Sequence, residues 1–241
     1  MTRGAVICAL ATVAVASGAI ANPPPPPIWP DAFLATFVDT VMAGPLGTYT
    51  FPAALAYNFS AGAQRLDHGK GQHDWFCSTS AHGIPIGVGE NCTSLIAPDG
   101  WWYLYFPEKE RCCKCCDREH GCGPIRPGWL QNNNTVYVGQ RLIDGRTCDG
   151  WTLKGDQVNT LWSDNARSPY GTCALSMTYP ALHVGYNWTN WKMAPGPLPE
   201  GAFDVPSYCA GHLCESAFCK KNRAQGFDLD DFLAHGLDRR A

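Results

Sequence analysis

Cysteine placement constrains this chain more than any other feature. Six of its thirteen cysteines fall between Cys112 and Cys148, and four of those, Cys112, Cys113, Cys115 and Cys116, are packed into five residues. Neighbouring Cα atoms are ~3.8 Å apart, closer than a disulfide ordinarily spans. Adjacent cysteines are therefore not expected to bond each other, and each of the four has to reach a distant partner. Cys77, Cys92, Cys122 and Cys148 are candidates, with Cys209, Cys214 and Cys219 taking up others. The pairing itself is not legible in a sequence. The Cys-x-x-Cys spacings, with His120 and Cys122 close by, also suit tetrahedral thiolate ligation of a soft metal. In an oxidising compartment disulfides are the expectation, and neither a metal nor a cofactor is expected.

The N-terminus points to that compartment. Arg3, the apolar run 5–16 and the small-residue pattern Ala19-Ile20-Ala21 read as a secretory signal over residues 1–21, cleaved before Asn22. The apolar run is too short to span a bilayer comfortably, and no later segment is long and apolar enough to do so. Cleavage removes Cys8 and leaves an even set: Cys77, Cys92, Cys112, Cys113, Cys115, Cys116, Cys122, Cys148, Cys173, Cys209, Cys214 and Cys219. Sequons at Asn58, Asn91, Asn133 and Asn187 agree with a secreted or endomembrane-lumen glycoprotein. A formal charge of −3 gives no reason to invoke nucleic acid or an anionic membrane as partner.

Residues 22–30 hold five consecutive prolines followed by Ile28-Trp29-Pro30, a stiff extended leader that is poor in backbone donors. A single domain is expected over 31–219, and a charged tail over 220–241. Period-two alternation and turn residues predict short strands near 33–41, 48–63, 101–106, 135–142, 157–162, 173–179 and 182–191. The first of these also admits a short helix. Pro52 marks its strand as an edge or an interruption. Residues 101–106, WWYLYF, are apolar on both faces, so both faces should be covered or one should line a cavity. Asp144-Gly145 is hairpin-turn chemistry. Many short strands with little helical periodicity indicate a mostly β (α+β) fold: a curved antiparallel sheet with disulfide-stapled loops. Cys209, Cys214 and Cys219 suggest a compact stapled coil.

Residues 64–92 read mostly as loop, and within it Asp67-His68 and His73-Asp74 form a near-mirrored pair. Carboxylate and imidazole so close can ligate a metal or share a proton; a solvated loop is the expectation, because no third ligand is set by spacing. Nucleophile elbows, zinc-protease motifs and phosphate-cradling loops are missing from the sequence. No catalytic residue is therefore assigned.

Several motifs resemble a group of secreted plant and algal proteins. Trp29-Pro30-Asp31, Arg126-Pro127-Gly128-Trp129-Leu130, Tyr137-Val138-Gly139-Gln140, Asp144-Gly145, Cys148, Trp151 and Pro206-Ser207-Tyr208-Cys209 are similar to that group's WPD, LRPxWL, YxGQ, VDG, CxxW and PxYC pattern. The layout is more distantly similar to ependymin-related glycoproteins. That resemblance implies a curved half-barrel of the bacterial lipoprotein-carrier type with a deep apolar pocket. The extra cysteines and the long loop near Asp67 depart from the plant pattern.

The chain is rich in tryptophan, and a concave face would use large aromatics as walls. Trp102, Trp129, Tyr137 and Trp151 are the candidate wall residues for an apolar or amphipathic small molecule. The rival reading is an extracellular adhesion or matrix module that binds through its surface. A carbohydrate-acting transferase comes third.

Overall fold

The computed structural model describes residues 22–42, 47–69, 77, 90–155, 157–164, 170–180, 183–194, 196–209 and 211–225. Eleven strands account for most of it: β1 (Ala32–Met42), β2 (Thr48–Asn58), β3 (Ala63–His68), β4 (Cys92–Ile96), β5 (Trp101–Phe106), β6 (Arg111–Asp117), β7 (Thr135–Ile143), β8 (Arg146–Leu153), β9 (Val158–Ser163), β10 (Thr172–Tyr179) and β11 (Val184–Ala194). One α-helix, α1 (Ala217–Gln225), follows near the end. The strands form one antiparallel sheet in the order β6-β5-β4-β3-β2-β1-β11-β10-β9-β8-β7. Every neighbouring pair but one is consecutive in the chain; the exception joins β1 to β11. The sheet is open and curled, with β6 and β7 as its edges, and the curved mostly-β expectation holds.

Bulges supply the curl, because an extra residue bends a strand and increases its twist. Register shifts interrupt β1–β11, β5–β6, β7–β8 and β9–β10. The β11 bulge has the largest consequence. Val38 pairs with Thr189 and Thr36 with Lys192, so Asn190 and Trp191 together face Phe37. Asn190 takes a left-handed φ of 53°. Trp188 and Trp191 are three apart, and in a regular strand they would point to opposite faces. The extra residue brings both onto one. Asn190→Val should therefore cost about 1–2 kcal/mol, while Asn190→Gly should leave the thermal midpoint nearly unchanged. Equal melting of the two variants would mean that the turn conformation is not needed.

The inner face carries Phe33, Ala35, Phe37 and Val41 from β1, with Phe51, Ala53, Leu55 and Tyr57 from β2, all buried. Trp151 and Leu153 of β8, Leu161 of β9, Leu175 and Met177 of β10 and Tyr186, Trp188 and Trp191 of β11 belong to the same cluster. Two segments outside the sheet close it: the proline-rich strap 22–30, through Trp29, and the loop 123–132, through Trp129 and Leu130. Tyr57 donates to the Ile125 carbonyl at 2.6 Å, tying that loop down. Burial, and then the Asp31 carboxylate, push the Tyr57 phenol well above its ordinary range, so it remains a donor.

Strand β5 is covered on both faces, as its apolar sequence requires. Leu104 and Phe106 pack into a cysteine-rich cluster on one side, and Tyr103 and Tyr105 meet Phe203, Val205 and Tyr208 on the other. The run Cys112–Cys116 lies within the edge strand β6. Three bridges staple it to the C-terminal segment, Cys112–Cys209, Cys113–Cys214 and Cys115–Cys219. The remaining pairs are Cys77–Cys92, Cys116–Cys122 and Cys148–Cys173. Cys116 takes the candidate partner nearest in sequence, Cys122, because the turn after β6 brings it back six residues later. The three bridges, a parallel contact between Lys114 and Leu213, and Arg223 donating to the Cys115 carbonyl at 2.6 Å cover the β6 edge.

Two further expectations are corrected. Strand β2 is interior, yet Pro52 fits. Its carbonyl accepts from Gly69 N just past the end of β3. A residue's N and O point the same way, so the missing donor also faces the place where the ladder stops. Asp67 and His68 belong to β3 rather than to a loop; adjacent strand residues point to opposite faces, so the two cannot share a metal. His73 and Asp74 lie outside the described residues. Among the described residues no group of three or more His, Cys, Asp or Glu is placed to hold a metal ion.

Candidate functional site

The concave face is built from alternate residues of β1, β2 and β11, and at its centre three rings stack. Phe37 lies 4.5 Å from Trp188 at 28° and 4.8 Å from Trp191 at 8°; the two indoles are 5.9 Å apart. These are favourable offset distances for aromatic pairs. Trp29 reaches this group from the strap, 6.5 Å from Trp191, and packs edge-on against Phe33, Tyr57 and Trp129 at 5.5, 5.8 and 6.0 Å.

The polar atoms here are unusual. A buried indole N–H ordinarily finds an acceptor, and Trp151 does: its Nε1 donates to the Pro24 carbonyl at 3.2 Å. The Nε1 atoms of Trp29, Trp188 and Trp191 are enclosed and meet no acceptor. An orphaned donor costs about 1–3 kcal/mol. Three in one cluster are three hydrogen bonds that this arrangement leaves unmade.

On the same face β1 carries Asp39, opposite Trp188 on one side and Phe51 on the other. Its carboxylate meets His68 Nδ1 at 3.1 Å, both side chains essentially inaccessible. The contact crosses β2 beside Ala53, a small residue that His68 pairs with. The inner face of β1, β2 and β11 is therefore largely apolar beside this pair and the indole donors, while β9 adds the buried polar residues Asn159 and Ser163 on the face of Leu161.

A concavity of about 890 Å³ opens over β1–β4 and the β11 bulge, and its lining includes Phe37, His68 and Trp191. Register places its polar walls, Arg65, Asp67 and Thr93, on the outer face. Arg65 Nε bonds Asp67 at 3.0 Å, and Thr93 Oγ1 donates to the same carboxylate at 2.6 Å. Burial works against the Arg65 cation, the Asp67 carboxylate outweighs it, and the net shift is upward. These groups satisfy one another.

The four residues singled out from sequence are distributed unevenly. Trp129 and Trp151 are buried in the main cluster, and Tyr137 lies against it, its ring 5.9 Å from Trp151. Trp102 packs elsewhere, against the cysteine-rich cluster, with Nε1 donating to Ser94 at 2.7 Å. Reading by residue missed Phe37, Trp188 and Trp191 as a stack. The available signal was the spacing Trp188-x-x-Trp191 with Asn190 inside it, a tolerated left-handed residue that a bulge requires.

No family model and no curated protein matches the chain. Solved structures do. An uncharacterized conserved protein from Thermus thermophilus is 8% identical, covering 72% of this chain and 86% of that one, with a TM-score of 0.40. A LolA superfamily protein from Nitrosomonas europaea is 11% identical over 73% and 90%, with a TM-score of 0.31. MucB in the Pseudomonas aeruginosa MucA/MucB complex is 12% identical over 74% and 56%, with a TM-score of 0.35. The likeness is confined to the general run of the chain, and no function is taken from it.

Proposed function

We propose that this chain is a secreted glycoprotein that binds an apolar or amphipathic small molecule on its concave face, against the stack of Phe37, Trp188 and Trp191. The observation that carries this reading is the orphaned donors at that stack. Apolar surface supplies affinity there at roughly 25 cal/mol per Å², and an acceptor on the ligand removes the penalty of the unmade hydrogen bonds. Secretion accords with six disulfides and with the exposed acceptors Asn91 and Asn133. Asn187 alternates with inward-facing Tyr186 and Trp188, so a glycan there projects outward. No helix among the described residues is long and apolar enough to cross a membrane.

The test is titration of a fluorescent acyl probe, together with mass spectrometry of lipid retained by protein made in a secretory host. Phe37→Ala opens the stack and should weaken probe binding about tenfold, on the order of one aromatic pair. Absence of both retained lipid and probe binding would remove the proposal.

The adhesion reading has one observation in its favour. The edge strand β7 pairs only with β8, and Val136, Val138 and Leu142 on it are 49%, 46% and 72% exposed. A bare apolar edge is a template for another strand. Saturable binding to extracellular matrix that survives Phe37→Ala but not Val138→Lys would favour it.

A further inference from the structure

The strap 22–30 lies against the concave face through Trp29, and its chemistry keeps it out of the sheet's hydrogen-bond ladder. Five of its nine residues are consecutive prolines, which have no N–H to give. It forms no ladder with the sheet. Trp29 N donates to the Pro127 carbonyl at 2.9 Å, Gln131 Nε2 donates to the Pro26 carbonyl at 2.8 Å, and Trp151 Nε1 donates to the Pro24 carbonyl. Pro27 and Trp29 are the strap's buried residues, and Trp29 is by far the larger. Trp29 is 3% exposed, while its neighbour Ile28 is 55% exposed.

That seat is incomplete. The Trp29 indole fills aromatic surface beside Trp191 yet brings a donor rather than an acceptor. Its own Nε1 and those of Trp188 and Trp191 are all left unbonded. A second donor cannot satisfy the first two. The cluster is matched in shape by Trp29 and mismatched in polarity.

Resting on the ligand-binding reading above, we propose that the strap is a displaceable plug: Trp29 holds the place of the ligand's apolar part, and the ligand that replaces it carries a hydrogen-bond acceptor taken by Trp188 and Trp191. Asp39, opposite Trp188, stands beside this place. A carboxylate on the ligand would lie near that acidic side chain, so a neutral acceptor such as an ester carbonyl is the better fit. The plug is tethered and so competes at high effective concentration. Observed affinity is the intrinsic affinity reduced by the fraction of molecules with the strap released.

The sign of one mutation separates a plug from a wall. Trp29→Ala should raise the apparent affinity for methyl palmitate by at least about tenfold; a loss of affinity would overturn the plug. Should that variant fail to fold, hydrogen exchange on the unaltered protein decides. Saturating methyl palmitate should speed exchange of the Trp29 main-chain amide, and slower or unchanged exchange with ligand bound would overturn the proposal. The acceptor is tested by competition: methyl palmitate should displace an acyl probe at least about tenfold better than hexadecane, and equal potency would remove the acceptor from the proposal. Binding with an unmoved strap defeats the plug alone, whereas no binding to either protein defeats the concave site and the plug together.

Discussion

Replacing the three cysteine pairs that join β6 to the C-terminal segment should cost far more than any one of them suggests. The pairs Cys112–Cys209, Cys113–Cys214 and Cys115–Cys219 close loops of 97, 101 and 104 residues. A lone bridge of that span restricts the unfolded chain by ~4.7 kcal/mol. Once one is made, however, the next closes only about six residues, and the same relation gives it about 2 kcal/mol. Single-pair replacements should therefore each lower stability by about 2 kcal/mol. Removing all three should lower it by about 9 kcal/mol, which is comparable to the whole stability of a domain. The cover over the outer face of β5, Phe203, Val205 and Tyr208, should then detach with the segment that carries it. Urea midpoints of the three single-pair variants and the triple variant check this. Equal losses for single and triple variants would show that the bridges act through local packing and not through loop closure. Titration of the denatured, unreduced protein should find essentially no free thiol.

His68→Ala should destabilise the protein by about 1–3 kcal/mol, the usual consequence of removing one partner of a buried hydrogen bond. Asp39 and His68 are 0% and 1% exposed, 3.1 Å apart, and flanked by aromatic side chains. Alanine leaves the Asp39 carboxylate in that apolar wall without the imidazole. Asp39→Leu combined with His68→Leu should recover most of the loss, because replacing both partners of a buried hydrogen bond by apolar groups of similar shape is often nearly neutral. Thermal unfolding of the two variants measures both. A loss below about 1 kcal/mol for His68→Ala would mean that Asp39 draws its support from elsewhere.

The pair also shows where reading by residue stopped. Gly69, Gly71 and the polar residues around them look like turn chemistry, which makes His68 read as loop. In the structure it closes β3 and faces inward, and its partner is twenty-nine residues away on a strand two places over. No local pattern encodes a contact that crosses an intervening strand; it depends on Ala53 being small and on the register of three strands at once.

Period-two alternation was enough by itself to locate β1, β2, β5, β7, β9, β10 and β11, but not β3, β4 or β6. Alternating aromatics in β1 and β2, the doubly apolar β5 and the Asp144-Gly145 turn, with φ of 49° and 76°, appear where the sequence places them. The even cysteine set likewise determined that the clustered residues would be bridged and not bonded to their neighbours. Local chemistry suffices for such features, because side-chain period and turn dihedrals are properties of a few consecutive residues. Which cysteines pair, which tryptophans meet and what fills the concave face were decided only in three dimensions. The β1–β11 pairing joins residues more than 140 apart in the chain, and one extra residue at Asn190 turns Trp191 onto the face of Trp188. The proline-rich strap, a leader by composition, is packed into the core by Trp29. Those outcomes are set by strand order, by bulge position and by competition for one apolar surface, and a chain read in order carries none of the three.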